Sequence, residues 1–180
     1  MTGHRWNRLA AADEPELKAV LARTFSEIEE RADTGVAGFV LVTGLAEGAD
    51  QVGAEAMPGH WQLEIVLPMP KDAFIIHLKE NGTGDAKDRK HAVSRFLRFL
   101  ARPGTVIVEL PSSTRAEDVN TSAFTALRDA LLMRSDMLVA VWDGDESAVK
   151  PGGTTDVVQT ARTRGLPVIV VPTASRGNGS

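Results

Sequence analysis

Two glycine-containing segments of the sequence have the composition of anion-binding loops. The first consists of Gly44, Leu45, Ala46, Glu47, Gly48, Ala49 and Asp50, and the second of Gly152, Gly153, Thr154, Thr155 and Asp156. A glycine turn that opens a helix leaves backbone N–H groups without intrahelical partners, and these groups suit a phosphate. The two threonines add hydroxyl donors to the second segment. We therefore predict that both segments line one anion-binding crevice.

Three shorter segments are predicted to complete the crevice, namely Gly3-His4-Arg5, Asp143-Gly144 and Pro68. Arg5 is the candidate phosphate ligand, because a guanidinium binds phosphate through two parallel hydrogen bonds. Asp143 or Asp156 is predicted to bind a ribose hydroxyl. Pro68 belongs to a stiff Pro-Met-Pro sequence and is predicted to form a wall of the pocket.

Glu47, Asp50 and Asp156 are also candidate catalytic groups, since a carboxyl group can stabilise an oxocarbenium-like centre or activate a water. A carboxylate at a helix N-terminus also stabilises the helix through its dipole, and the sequence leaves both roles open for Glu47 and Asp50. No metal site is predicted, because the chain has no cysteine and its four histidines show no metal-binding spacing. No cofactor is expected either, and a magnesium ion is expected only together with the phosphates of a ligand.

Alternating strands and helices must position these segments. Short apolar, β-branched runs predict strands over 38–42, 63–67, 105–110, 137–142 and 167–171. Helical spacing of apolar residues predicts helices over 14–32, 49–57, 89–101, 122–134 and 154–164, the first capped by Asp13. The apolar runs are continuous, which is typical of strands buried on both faces. Arg95, Arg98 and Arg102 are predicted to lie on the solvent side of their helix.

This order of elements predicts an α/β fold, a three-layer sandwich with a five- or six-stranded, mainly parallel sheet and helices on both faces. The ligand crevice of such a sheet lies beyond the carboxyl ends of its strands, where all the segments named above fall. Residues 68–88 contain prolines, glycines and charges, and they are predicted to form a mobile loop with one helical turn over 74–78. We expect one domain over 1–173 and a disordered tail over 174–180.

The overall composition restricts the function classes. The formal charge of −4 gives no general attraction to nucleic acid, so a nucleic-acid partner is not expected. No apolar run approaches the ~20 residues that span a bilayer, and no signal peptide is visible, so neither a membrane anchor nor secretion is expected. The lack of cysteine fits a reducing compartment, and a cytoplasmic location is the expectation.

The segments together resemble the SLOG superfamily. The resemblance is carried by Gly3-His4-Arg5, by Gly44 to Gln51, by Leu67-Pro68-Met69-Pro70, by Ser135 to Gly144 and by Gly152-Gly153-Thr154. This superfamily includes the Lonely Guy phosphoribohydrolases, DNA-processing protein A and the nucleotide-sensing domains of bacterial conflict systems and melastatin channels. The resemblance implies a Rossmann-like sheet whose glycine loops hold the phosphates of a nucleotide or a nucleotide-derived signal. Relatives are often dimers, so the resemblance also allows for a homodimer.

The expected function is that of a sensor in a signalling or defence system, and two departures from the family pattern concern the catalytic residue and the first strand. Lonely Guy enzymes carry a catalytic glutamate after the second glycine motif, whereas this chain has Val157 and Val158 there and only Asp156 nearby. Met1 and Thr2 alone precede the Gly3 motif, which predicts a first strand that is truncated or absent. A nucleotide N-glycosidase is the alternative function, and an assembly module without ligand or activity is the third.

Overall fold

The computed structural model describes residues 1–9, 14–32, 38–111 and 119–173, with side chains from residue 121 in the last range. In chain order these residues form β1 (Thr2–Gly3), α1 (Glu14–Arg31), β2 (Val40–Thr43), α2 (Ala49–Ala56), β3 (Gln62–Leu67), α3 (Lys71–Asn81), α4 (Ala86–Leu100), β4 (Val106–Glu109), α5 (Val119–Met133), β5 (Leu138–Trp142), α6 (Thr154–Thr163) and β6 (Val168–Pro172). Every predicted helix and strand recurs among them. The predicted cap at Asp13 and the predicted tail over 174–180 lie outside the described residues. No helix within the described ranges is both long and apolar enough to cross a bilayer.

The strands form two parallel sheets of three strands each. One sheet has the order β1-β5-β6 and the other the order β2-β3-β4. β1 is truncated to two residues, and its register with β5 pairs Thr2 with Ala140 and Gly3 with Val141. The Met1 amino group donates a hydrogen bond to the Val42 carbonyl at 2.5 Å. This hydrogen bond links the residue before β1 to β2, a strand of the other sheet.

Alternate residues of the central strands enter different apolar cores. In β3, Ile65 packs with residues of α1, α2, α3 and α4, whereas the next residue, Val66, packs with Leu127 and Leu131 of α5. In β5, Val141 belongs to the first core and Ala140 packs with residues of α6. The period-two alternation of a strand therefore distributes the helices between two faces.

The predicted mobile loop over 68–88 is wrong, because most of it is helical. Pro70 stands before α3 with φ −51°, a value that its ring imposes and that suits the entry to a helix. Phe74 and Leu78 are one turn apart in α3 and both are buried. Asp85 then starts α4, since its side chain accepts hydrogen bonds from the backbone N–H groups of Lys87 and Asp88. The prolines and glycines mark the ends of two helices rather than a loop.

The prediction that the apolar runs are buried on both faces is correct for β5 and wrong for β4. All five residues of β5 are buried, but β4 lies at the end of its sheet, and Val106 and Ile107 are each 39% exposed. A strand with a neighbour on one side buries less of each side chain than a central strand. The apolarity of the sequence alone did not distinguish an edge strand from a central strand.

The prediction that Arg95 lies on the solvent side of its helix is wrong. Its side chain is only 4% exposed and forms ion pairs with Glu14 of α1 at 2.7 Å and with Glu55 of α2 at 3.2 Å. Arg98, three residues later, is 64% exposed. The reason is that α4 packs against α1 and α2, and a buried guanidinium is tolerated there only because two carboxylates neutralise it.

Candidate functional site

The segments after β1, β2 and β5 meet at one edge of the strands. His4 follows β1, and its backbone N–H donates to the Val141 carbonyl of β5 at 3.0 Å. The His4 carbonyl in turn accepts from the N–H of Ala49, the first residue of α2, at 3.1 Å. The structure therefore brings the predicted 3–5 and 44–50 segments into direct backbone contact.

This contact requires glycine at two positions. Gly48 has φ +97°, and a Cβ atom there would lie 2.6 Å from the His4 carbonyl oxygen and 2.9 Å from Arg5 Cα. A Cβ atom on Gly3 would collide with the side chains of Ala49 and Val141. Glycine permits both the left-handed backbone and the close approach, so Arg5 is held at the N-terminus of α2.

Glu47 orients the Arg5 side chain. Glu47 is 1% exposed, and its Oε1 lies 3.3 Å from Arg5 Nε and accepts from the Thr83 N–H at 3.2 Å. Arg5 also donates from a terminal nitrogen to the Asn81 carbonyl at 3.4 Å and remains 30% exposed. The second carboxylate oxygen of Glu47 has no partner within the described residues. Glu47 is thus an ion-pair partner that aims the guanidinium.

Asp50, in the first turn of α2, is buried. Burial raises the pKa of Asp50 above its ordinary value, against the opposing effects of the Met1 amino group, Thr43, Ala46 and Arg5. One carboxyl oxygen of Asp50 has no hydrogen-bond partner in the described ranges. The environment therefore favours the protonated form of this acid.

Most side chains of the first loop point away from solvent. Leu45 is fully buried in the main core, with its N–H donating to the Thr43 hydroxyl at 3.2 Å, and Gly44 is buried beside Leu127. Ala46 is the one partly exposed residue of the 44–50 segment. Pro68 is also buried, immediately after β3. This loop can therefore offer a ligand its backbone and the first turn of α2 rather than its side chains.

The second glycine loop uses two of its N–H groups within the protein. Gly152 has φ +71° and packs so closely on Phe124 that a Cβ atom would lie 2.5 Å from Phe124 Cβ. The Gly152 N–H donates to Asp156 at 2.7 Å, and the Gly153 N–H donates to the Lys150 carbonyl at 2.7 Å. Only the first-turn N–H groups of α6 that lie beyond Gly153 remain for a ligand.

The polar side chains of this loop are also largely engaged. Arg128 donates to both carboxylate oxygens of Asp156, at 3.1 and 2.9 Å. The Thr155 hydroxyl accepts from the Trp142 indole N–H and donates to the Asp145 carbonyl, both at 3.1 Å. Thr154 is half-buried, so of the two threonine hydroxyls it is the one that a ligand can reach.

Asp143 lies within a charged cluster that the sequence only partly indicated. Its Oδ1 is 3.0 Å from His4 Nε2, and its own N–H is 3.3 Å from the same nitrogen; a neutral imidazole makes one of these bonds at a time. Arg8 pairs with Asp143 and, at 3.2 Å, with Asp145. Burial lowers the pKa of His4, although Asp143 opposes this effect. Asp143 and Asp156, the two predicted ribose ligands, are therefore both held by arginines, and Gly144 is the left-handed turn residue after Asp143.

Four residues that the sequence reasoning missed lie around the same edge: His77, Asn81, Phe124 and Lys150. The amide nitrogen of Asn81 is 3.5 Å from His77 Nδ1, and the rings of His77 and Phe124 are 5.4 Å apart. The charges of Arg5 and Lys150 both act on His77. His77 and Asn81 have the i, i+4 spacing of one helix face, a signal that the prediction of a loop over 68–88 concealed.

The charges at this edge suit an anion. Arg5, Lys150 and the N-termini of α2 and α6 supply positive charge. No cluster of three metal-ligating side chains occurs among the described residues. An open groove of about 440 Å³ lies instead at the other end of α2, lined in part by Lys18, Glu55, Arg98 and Arg102. Glu55 pairs with Lys18 and Arg98 there, and Arg102 donates to the Gly59 carbonyl.

Comparison of the chain with protein-family models finds no match, and comparison with curated proteins finds none.

Proposed function

We propose that the chain binds a phosphorylated nucleotide or nucleotide-derived signal at this edge, as a sensor domain of the SLOG type. The observation that carries the proposal is the contact of Gly48 with His4 and Arg5, because it holds the Arg5 backbone at the N-terminus of α2, where Glu47 orients the guanidinium. Both groups favour an anion, and Glu47 keeps Arg5 in place before the anion arrives. Such preorganisation reduces the entropy that a ligand would otherwise cost on binding.

We also propose that the strands act as one Rossmann-like, six-stranded sheet with the order β6-β5-β1-β2-β3-β4. The hydrogen bond from Met1 to Val42 supports this order, because it links the starting end of β1 to β2. In this arrangement β2 lies on one side of β1 and β5 on the other, so the direction of the strand order reverses at β1. Ligands of open α/β sheets bind at such a switch point, and His4 and Asp143 follow the two strands that form it.

The N-glycosidase alternative requires a carboxyl group that can meet a substrate. Asp156 is paired with Arg128 through both carboxylate oxygens, whereas Glu47 is paired with Arg5 through one and its other oxygen has no partner among the described residues. Asp50 favours the alternative, since its pKa is raised and one of its oxygens has no partner among the described residues. A protonated carboxyl group is what a general acid for a departing base needs.

Thermal-shift measurements with nucleoside mono- and diphosphates, each paired with its unphosphorylated nucleoside, test the binding function. We expect phosphorylated members alone to raise the melting temperature, since a ligand at 100 times its Kd adds roughly 2.7 kcal/mol. Arg5→Ala should remove the shift. Arg23→Ala, which removes one charge from an exposed position on α1, is the matched control and should keep it. No shift with any phosphorylated compound contradicts the proposed function.

Chromatographic analysis of free base tests the enzyme alternative with the same nucleotides. Base release by the wild type that disappears in Asp50→Asn, while the thermal shift persists, would support an N-glycosidase. Stabilisation without base release supports a sensor.

A further inference from the structure

His77 lies between the two parts of the candidate site. On one side it contacts Asn81, whose carbonyl accepts a hydrogen bond from Arg5 at 3.4 Å. On the other side its ring is 5.4 Å from that of Phe124, and the backbone of Gly152 packs directly on Phe124. The imidazole is therefore connected by contacts to both the Arg5 segment and the second glycine loop.

The neighbours of His77 hold its ring and leave one ring nitrogen without a partner. The ring is stacked on Phe74, with 6.0 Å between centroids and 8° between planes, and it is tilted against Phe124. Nδ1 lies 3.5 Å from the Asn81 amide nitrogen, and with the amide in this orientation Nδ1 accepts and the proton of the neutral ring is on Nε2. Nε2 is buried and has no partner within the described residues. A buried donor without an acceptor is rare in folded proteins, and the missing acceptor can be supplied by a ligand.

Positive charge surrounds this donor. Burial is the largest cause that lowers the pKa of His77, and the charges of Arg5 and Lys150 lower it further. Asn81 is uncharged and the two flanking phenylalanines are apolar, so these cations are the charges that act on the ring within the described chain. The imidazole is accordingly neutral in the free protein at neutral pH. An anion bound between Arg5 and Lys150 would offset these two charges and so raise the pKa of His77.

Resting on the proposed function, we propose that His77 is a direct ligand of the bound phosphate and takes up a proton when that phosphate binds. Nε2–H donates to a phosphate oxygen. The added proton comes from solvent and joins Nδ1, and the Asn81 amide rotates so that its oxygen accepts from the new N–H. His77 then becomes a third cation beside Arg5 and Lys150. The site selects dianionic phosphates over singly charged or neutral groups for this reason.

Proton uptake makes affinity depend on pH in a defined direction. The pKa of His77 is low in the free protein and higher in the complex, so binding is tighter below the bound-state pKa and weakens as pH rises through it. Each unit of separation between the two pKa values is worth about tenfold in affinity. Inorganic sulfate is the probe of choice, because its charge does not change between pH 5 and 8, whereas that of a phosphate monoester does.

Nitrogen NMR of the four histidines, titrated with acid in the absence and presence of sulfate, tests the proposal. We expect the His77 pKa to rise on sulfate binding. His77→Gln keeps a donor but cannot be protonated, so its sulfate affinity should depend less on pH than that of the wild type, the remaining dependence arising from His4 and Asp50. His77→Phe should lose about tenfold or more in affinity. His91→Gln alters an exposed histidine of α4 and should behave as the wild type.

The outcomes separate this proposal from the function on which it rests. Failure of every phosphorylated compound to stabilise the wild type contradicts the proposed function. Stabilisation by nucleotides together with an unchanged His77 titration in sulfate, or unchanged sulfate binding by His77→Phe, overturns the role of His77 alone.

Discussion

At the scale of single residues, the candidate site is built from paired rather than free charges. Arg5, Arg8 and Arg128 each hold a carboxylate, namely Glu47, Asp143 and Asp156. The pairs differ in exposure, since Arg5 and Arg8 keep 30% and 33% of their side-chain surface exposed whereas Arg128 keeps 18%. Of the two more exposed arginines, Arg5 is the one whose backbone packs against Gly48 at the N-terminus of α2.

Arg5 should contribute more ligand affinity than any other side chain. Hydrogen bonds to charged groups are worth roughly 1.5 to 3 kcal/mol, so Arg5→Ala should weaken binding of a stabilising nucleotide by at least ~10-fold. Arg5→Lys keeps the charge but cannot present two parallel N–H groups. Its affinity should fall between that of the wild type and that of Arg5→Ala. Titration calorimetry measures this order. Binding by Arg5→Ala within twofold of the wild type would remove Arg5 from the site.

Asp50 should make the protein less stable as pH rises. Its pKa is raised in the folded state by burial, so the folded protein holds this proton more tightly than the unfolded chain does. The free energy of unfolding therefore falls as pH increases from the ordinary carboxyl range toward neutrality. Asp50→Asn should reduce this fall by about 1 to 3 kcal/mol in denaturant titrations. Glu30→Gln, an exposed control on α1, should leave the slope unchanged, and equal slopes for all three proteins would contradict the prediction.

At the scale of elements, buried contacts decide where the charged helix faces lie. Arg95 connects α4 to Glu14 of α1 and to Glu55 of α2, and it is nearly inaccessible to solvent. Arg98 also pairs with Glu55, but from the solvent side. The two arginines can therefore be compared directly, since Arg95 is buried between helices and Arg98 is exposed on the surface.

Arg95→Ala should destabilise the protein by about 1 to 3 kcal/mol, because it breaks a buried pair and leaves a space between three helices. The figure lies below that for a fully buried pair, since Glu14 is 33% exposed and can be hydrated. Arg98→Ala should cost less than about 1 kcal/mol, as for other exposed ion pairs. Urea unfolding of both variants measures the difference. Equal losses would show that Arg95 is not a structural connection.

At the scale of the whole molecule, stability is concentrated in the middle of each sheet. β3 and β5 are the central strands of their three-stranded sheets and are largely buried. β4 and β6 end the two sheets, and the described side chains of β4 are mostly exposed. The candidate site follows β5, a central strand, and also β1 and β2, which lie at the other ends of the two sheets.

Amide hydrogen exchange should show this gradient. Peptides that contain β3 and β5 should exchange most slowly, near the rate of global unfolding, whereas those that contain β4 and β6 should exchange faster through local opening. Mass spectrometry of exchanged peptides measures the order. Protection of β4 equal to that of β3 would contradict it and would indicate that another chain covers this edge in solution.

The sequence was sufficient for the elements that follow from local periodicity. The helix over 14–32 and the apolar run of β5 were predicted correctly because their patterns are long and regular. The helix α3 was missed because its buried contacts, Phe74 and Leu78, occur among polar residues and prolines. Only packing against other helices shows that two apolar side chains suffice there.

The sequence by itself also indicated which segments meet, because parallel strands present their carboxyl ends at one edge. It did not determine what each side chain does at that edge. Asp143 and Asp156 are paired with Arg8 and Arg128, residues distant in the chain. His77 Nε2 is buried without a hydrogen-bond partner among the described residues. Charge pairing and burial act through space, so only the tertiary structure decided which groups are already engaged and which are available to a ligand.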